Sequence, residues 1–157
     1  MDKRPIVYVD ESGFAVDAAR NGGHRTKGQR CCASRDRHAR GRANAIGAIT
    51  DFKLFNVSLF DTYINADVFY AWVTKELIPN TPKHSVIVPD NASFHKGNGA
   101  MQAIRQAGHT LEFLPPYSPD LNPIEKKWAQ AKSIRRKFGY NPDELFLYSN
   151  LRRYILI

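Results

Sequence analysis

Hydrophobic positions along this chain fall into short runs and longer stripes, and the two spacings predict different elements. The β-branched run at residues 6–9 (Ile6, Val7, Tyr8, Val9) reads as a first strand, ended by a turn at Asp10, Glu11, Ser12 and Gly13. Residues 17–42 are rich in glycine, arginine, serine and asparagine without a clear period, the signature of a long basic loop or mobile hairpin. Residues 45–50 and 53–59 lean toward strand and meet at Asp51 and Phe52, the pattern of an antiparallel hairpin. Between 66 and 78 the spacing changes. Val68, Phe69, Trp72, Val73 and Leu77 recur at helical intervals, Asn65 or Asp67 can cap the start, and Pro79 with Pro82 should stop the helix. Residues 85–89 are apolar enough for a fourth strand buried on both faces. A helix over 99–107 closed by Gly108, a fifth strand over 110–114 and a rigid Pro-rich linker over 115–119 follow. A helix from Pro123 to about Lys137 should end near Gly139, and Asn141 and Pro142 open a last short one.

Strands alternating with helices after an antiparallel start predict an α/β fold, a mixed five-stranded sheet with helices on both faces. The 157 residues show no repeat and no break in composition, so residues 1–157 are expected to form a single domain. No apolar run approaches the ~20 residues of a membrane span. The N-terminus meets Asp10 and Glu11 too soon for a signal peptide. The two cysteines, Cys31 and Cys32, are adjacent, with no zinc-type spacing, which fits a reducing intracellular compartment, the cytoplasm, better than a disulfide framework.

Charge sharpens this picture. The net charge is +8 and the isoelectric point is near 9.7. From Arg20 to Arg42 there are eight basic residues against one acid, Asp36, and Lys126, Lys127, Lys132, Arg135, Arg136 and Lys137 form a second block. Charge runs are usually solvated surface, but two blocks carrying nearly all the excess favour a polyanion through counterion release. Candidate phosphate contacts are Arg25, Lys27, Arg30, Arg35 and Arg37 in the loop, with Lys96, Lys126 and Lys127 nearer the acids.

Against that basic background stand Asp10, Asp90 and Glu125. Taken singly, each has a local explanation. Asp10 and Asp90 can serve turns, and Glu125 can close a capping box with Asn122 as N-cap and Pro123 at the first helical position. Together they suggest more. Two acids follow strands, where open α/β sheets place their ligands. The 34 residues between Asp90 and Glu125 leave room for a helix, a strand and a return to the same edge. Three carboxylates gathered there would repel one another unless a cation neutralised them, and an all-oxygen set suits Mg²⁺ or Mn²⁺. Asn91 could orient Asp90 or a water, or simply form a turn. His95 could approach the metals or a phosphate, or bond to its own loop's backbone. Trp128, one helical turn beyond Glu125, reads as a core anchor.

Three stretches carry a resemblance: Tyr8 to Phe14 with Asp10-Glu11-Ser12-Gly13 inside, Val88 to Lys96 around Asp90-Asn91, and the Leu114 to Trp128 string Leu-Pro-Pro-Tyr-Ser-Pro-Asp-Leu-Asn-Pro-Ile-Glu-Lys-Lys-Trp. Over about residues 5–140 the chain resembles the DDE transposases, in particular the bacterial insertion-sequence branch of the Tc/mariner group. The resemblance implies an RNase H-like fold with Asp10, Asp90 and Glu125 as a catalytic triad holding two Mg²⁺ or Mn²⁺ ions. Asp120 is the rival for the third place. The implied activity is metal-dependent DNA strand cleavage followed by strand transfer, acting on transposon ends and a target, in a homodimer or larger assembly. Relatives carry a helix-turn-helix module ahead of this domain. Here the first strand starts within ten residues of Met1, and residues 154–157 read as an incomplete final element. A separate helix-turn-helix protein from an overlapping frame is therefore an expected partner. The alternative is an inactive remnant, or a basic DNA-binding regulator without catalysis.

Overall fold

The structure, a computed structural model, describes residues 3–15, 41–90 and 97–147. The predicted basic loop, Arg25, Lys27, Arg30, Arg35 and Arg37 with it, lies outside the described residues, as do Asn91, His95 and Lys96.

One mixed sheet organises the chain, in the order β3-β2-β1-β4-β5. Strands β1 (Ile6–Ala15), β2 (Arg42–Thr50) and β3 (Lys53–Phe60) form an antiparallel meander, with Asp51 and Phe52 at positive φ in the tight turn of the predicted hairpin. On the other side of β1, β4 (Val86–Pro89) and β5 (Thr110–Leu111) join in parallel. The mixed five-stranded sheet read from the sequence is thus present, in an RNase H-like arrangement.

Local expectations fared unevenly, for physical reasons. Strand β1 does not stop at Val9; it runs on through Asp10 to Ala15, because β2 continues to pair with it as far as Arg42. A polar run that looks like a turn becomes a strand when a partner takes its backbone groups. Strand β5 is shorter than the predicted 110–114. After Leu111 the Glu112 N–H still reaches back, to the Ile87 carbonyl at 3.0 Å. Beyond that point β4 offers Pro89, which has no N–H to donate. The first helix does not stop at Pro79 either. Helix α1 (Ala66–Trp72), capped by Asn65 Oδ1 accepting from the Val68 N–H at 2.9 Å, widens into a π-helical turn (Val73–Leu77) and resumes as α2 (Ile78–Asn80). Within that turn the Ile78 N–H bonds five residues back to Val73. The wider turn gives the proline ring room where an α-helical carbonyl would clash.

Alternation along the strands buries both faces of the sheet. Val7, Val9, Ile46, Ala48 and Ile87 pack on one side with Phe69, Trp72 and Leu77, and with Ala100 and Ile104 of α3 (Asn98–Gln106). Phe14, Ala45, Ile49 and Leu54 face the other way, against Ile124, Trp128 and Ala131 of α4 (Ile124–Phe138) and Leu145 of α5 (Pro142–Leu147). Helix α4 ends where predicted, with Gly139 in the left-handed region at φ +70°.

A buried cation locks that second layer to the sheet. Arg135, 7% exposed, donates through Nε to the Tyr140 carbonyl at 3.0 Å and through a terminal nitrogen to the carbonyl of Ala15, the last residue of β1. Arg135→Met is expected to lower stability by about 1.5–3 kcal/mol, the range for hydrogen bonds from a charged donor. An unchanged urea midpoint would show that the clamp contributes nothing.

Candidate active site

The crevice forms because β4 stops while β1 continues. The β1–β4 ladder ends at the pair Val9 and Pro89, so the next residue on each strand, Asp10 and Asp90, stands at the top of neighbouring parallel strands. Asp10 is therefore in mid-strand, held by β2 through its register partner Gly47, yet at the mouth of the gap that β4 leaves. Its side chain shares the α4 face with Tyr8 and Phe14, two residues before it and four after.

Glu125 arrives from the first turn of α4, and its predicted capping role does not hold. Asn122 is extended (φ −96°, ψ 106°), Pro123 is helical, and Asn122 Oδ1 accepts from the Ile124 N–H at 3.2 Å, so Asn122 caps as expected. The reciprocal half of the box is taken elsewhere. The Asn122 N–H bonds to the Pro119 carbonyl at 2.9 Å, closing a 3₁₀ turn over Pro119–Leu121. A complete capping box exists one helix later: Glu144 N–H to Asn141 Oδ1 at 2.7 Å and Asn141 N–H to Glu144 Oε2 at 2.8 Å. The local explanation for Glu125 is thereby removed. Its carboxylate shares a cleft of about 260 Å³ with Asp90, walled by Leu114, Pro115 and Tyr117 of the Pro-rich linker.

Electrostatics ties all three acids together. Asp10 is 5% exposed and its pKa is pushed up to about 8, first by burial, then by the negative charge of Glu125, with Asp90 adding to it. The backbone N–H of Glu11 and the indole N–H of Trp128 pull the other way. Asp10 Oδ2 is buried with no hydrogen-bond partner, and so is Trp128 Nε1: the indole is near enough to act on the charge but outside bonding geometry. Among the described residues, no three acidic, histidine or cysteine side chains stand close enough to make a ready-made metal cage. The three acids lie within electrostatic reach of one another. A buried carboxylate oxygen with no donor, facing two further carboxylates, fits a hard divalent cation, and the donor set is all oxygen.

The rival acid is placed differently. Asp120 lines a separate groove of about 550 Å³, with Lys3, Arg4, Phe52 and Leu121. Lys126 lines that groove too, on the far side of the helix start from the acid cleft. Trp128 is the core anchor the sequence suggested, 2% exposed, with Phe14 and Phe146 edge-on to it at 6.2 and 6.3 Å. Gly47 escaped the sequence reading. Its signal was a glycine inside a strand pattern, which marks close approach by another group.

A family model described as DDE superfamily endonuclease matches residues 5–145. Among solved structures, the chain is similar to a Mos1 transposase paired-end complex with left transposon end, at 17% identity and TM-score 0.59 over 95% of this chain and 46% of that one. It is similar to the Mos1 transposase catalytic domain with Raltegravir and Mn, at 13% identity and TM-score 0.59 over 96% of this chain and 69% of that one. The simian T-cell lymphotropic virus intasome in complex with PP2A regulatory subunit B56 gamma matches at 14% identity and TM-score 0.61, over 96% of this chain and 46% of that one. At such identities the likeness speaks for the fold. The chain spans less than half the length of the paired-end-complex and intasome chains it matches. The comparison with curated proteins returned no match.

Proposed function

The chain belongs to the DDE superfamily of endonucleases, and we propose that it is the catalytic domain of a transposase of the Tc/mariner group, from the bacterial insertion-sequence branch. The observation that carries this reading is Asp10, a carboxylate at the mouth of the β1–β4 gap whose proton is held first by burial and then by the charges of Glu125 and Asp90. A basic domain that only grips DNA has no use for such an arrangement, so the regulator reading is set aside.

In this reading Asp10, Asp90 and Glu125 would hold two Mg²⁺ or Mn²⁺ ions, which would supply Lewis-acid activation of a phosphodiester. To hold such cations Asp10 would have to be ionised, and their positive charge would offset the burial and the repulsion that keep its proton on. Asp90 and Glu125 line the 260 Å³ cleft in which the scissile phosphate would lie. The Pro-rich linker fixes the entry of α4, so Glu125 is presented from a stiff start. Lys127, two residues beyond Glu125, would meet phosphates flanking the cut, and Lys126 would meet DNA that reaches the neighbouring groove. Transposon-end and target DNA are the partners, with the basic stretch at 20–42 and a second copy of the chain completing the assembly.

The test is cleavage of duplex DNA carrying the element's own ends, with Mg²⁺ or Mn²⁺ as the only divalent ion. Nicking at the end, abolished by EDTA, is expected. Equal nicking in EDTA, or by proteins carrying Asp10→Ala, Asp90→Ala or Glu125→Ala, would sink the assignment.

A further inference from the structure

Among the described residues, two of the buried polar atoms that lack partners belong to side chains that act on each other, Trp128 and Asp10. Trp128 Nε1 is a donor with no acceptor, and Asp10 Oδ2 is an acceptor with no donor. A buried polar group left unpaired is costly, and most are satisfied. The other such atoms among the described residues are elsewhere: Thr50 Oγ1 at the far end of β2, and His109 Nδ1 just before β5.

The surroundings seat the indole on the residue opposite Asp10. Gly47 is the register partner of Asp10 across the β1–β2 ladder. A Cβ on Gly47 would stand 2.7 Å from Trp128 Cη2 and 3.0 Å from Cζ2, closer than carbon atoms pack. The six-membered edge of the indole thus lies over the one position opposite Asp10 that carries no side chain. Edge-on contacts with Phe14 and Phe146, at interplanar angles of 75° and 86°, keep the ring from turning away. The same helix presents Glu125 one turn earlier, so the seat of Trp128 also sets how far Glu125 stands from Asp10.

We infer that the indole N–H of Trp128, seated on Gly47, is the fixed donor that orients the Asp10 carboxylate toward the crevice. Trp128 is a positioning residue: it touches neither substrate nor cation and acts through Asp10. The consequence for cation binding rests on Asp10 being a ligand, as proposed above. The contact itself does not.

The experiment separates the two. Trp72 provides an internal reference, because its indole N–H already donates to Ser58 Oγ at 3.1 Å. In amide-proton NMR of the metal-free protein, Asp10→Asn is expected to move the Trp128 indole resonance, identified by its loss in Trp128→Phe, and to leave that of Trp72 in place. A Trp128 resonance indifferent to Asp10→Asn overturns the inference whatever the metal does. Mn²⁺ titration followed by EPR reads the consequence. Trp128→Phe, which keeps an aromatic ring but no N–H, is expected to weaken Mn²⁺ about 10–100-fold, as loss of a ligand's hydrogen-bond partner does. Gly47→Ala keeps the donor and displaces its ring, and should weaken Mn²⁺ as well. The double variant should bind no worse than Trp128→Phe alone, since both act through one contact. Full Mn²⁺ affinity in folded Trp128→Phe, with affinity lost in Asp10→Asn, overturns the positioning role and leaves the metal site standing. Wild-type affinity in Asp10→Asn would instead remove Asp10 as a ligand, and the NMR result would then stand for the contact alone.

Discussion

Asp10→Asn melts at a higher temperature than the wild-type protein in metal-free buffer at pH 8, while losing divalent-ion binding and DNA cleavage. This expectation follows from the sign of one pKa. Burial, Glu125 and Asp90 raise the Asp10 carboxyl from 3.8 to about 8. At pH values below the unfolded pKa both states hold the proton, and the carboxyl weighs little on stability. As pH rises from about 4 to 8 the unfolded chain releases its proton and the folded protein retains it, so folding stability falls over that window. At 1.36 kcal/mol per pKa unit the loss approaches about 5 kcal/mol as an upper bound. Asparagine, of the same shape and never charged, escapes it. A gain of only 1–2 kcal/mol would raise the melting temperature by roughly 2–8 °C in a protein of this size. The gap between the two proteins should widen from pH 5 to pH 8 and narrow when Mn²⁺ is added, because cations stabilise only the protein that binds them. A variant that melts lower than wild type at pH 8, with the same dependence on pH, would show that the buried carboxyl is not under strain.

Glu125→Ala and Asp120→Ala should differ by orders of magnitude in cleavage. Both acids lie in the Pro-rich string, five residues apart, and sequence alone left them as rivals. The tertiary structure sends them to different cavities, Glu125 with Asp90 and Asp120 with Lys3 and Arg4. Loss of a group that holds a cation against the transition state is worth several kcal/mol, which corresponds to a fall in rate on the order of a thousandfold. Asp120 lies on an exposed turn where substitutions typically change free energies by no more than about 0.5 kcal/mol, or about twofold in rate. Comparable losses from the two variants in single-turnover cleavage would place Asp120 in the site and undo the separation.

Much of the fold was legible because short-range chemistry decides it. The hairpin at Asp51 and Phe52, the Asn65 cap, the stop at Gly139 and the Asn141 start each depend on a few neighbouring residues. Where the reading went astray, a distant partner had intervened. The polar residues after Val9 became strand because β2 took up their backbone groups. Pro79 was absorbed by a π-helical turn. The capping box assigned to Asn122 and Glu125 failed because the Pro119 carbonyl had already claimed the Asn122 N–H.

The same division holds at the site. Residue types and spacing along the chain picked Asp10, Asp90 and Glu125 out of fifteen acids as candidates, because two follow strands and the third opens a helix, and the family they resemble is the one to which the chain belongs. Which acids share a crevice was a tertiary outcome. It depended on the β1–β4 ladder ending at Val9 and Pro89, on α4 lying across the sheet, and on Gly47 making room for Trp128 opposite Asp10. Caps and turns are settled by atoms a few residues apart. Desolvation, charge–charge repulsion and the meeting of two unpartnered polar atoms arise only when distant parts of the chain are pressed together.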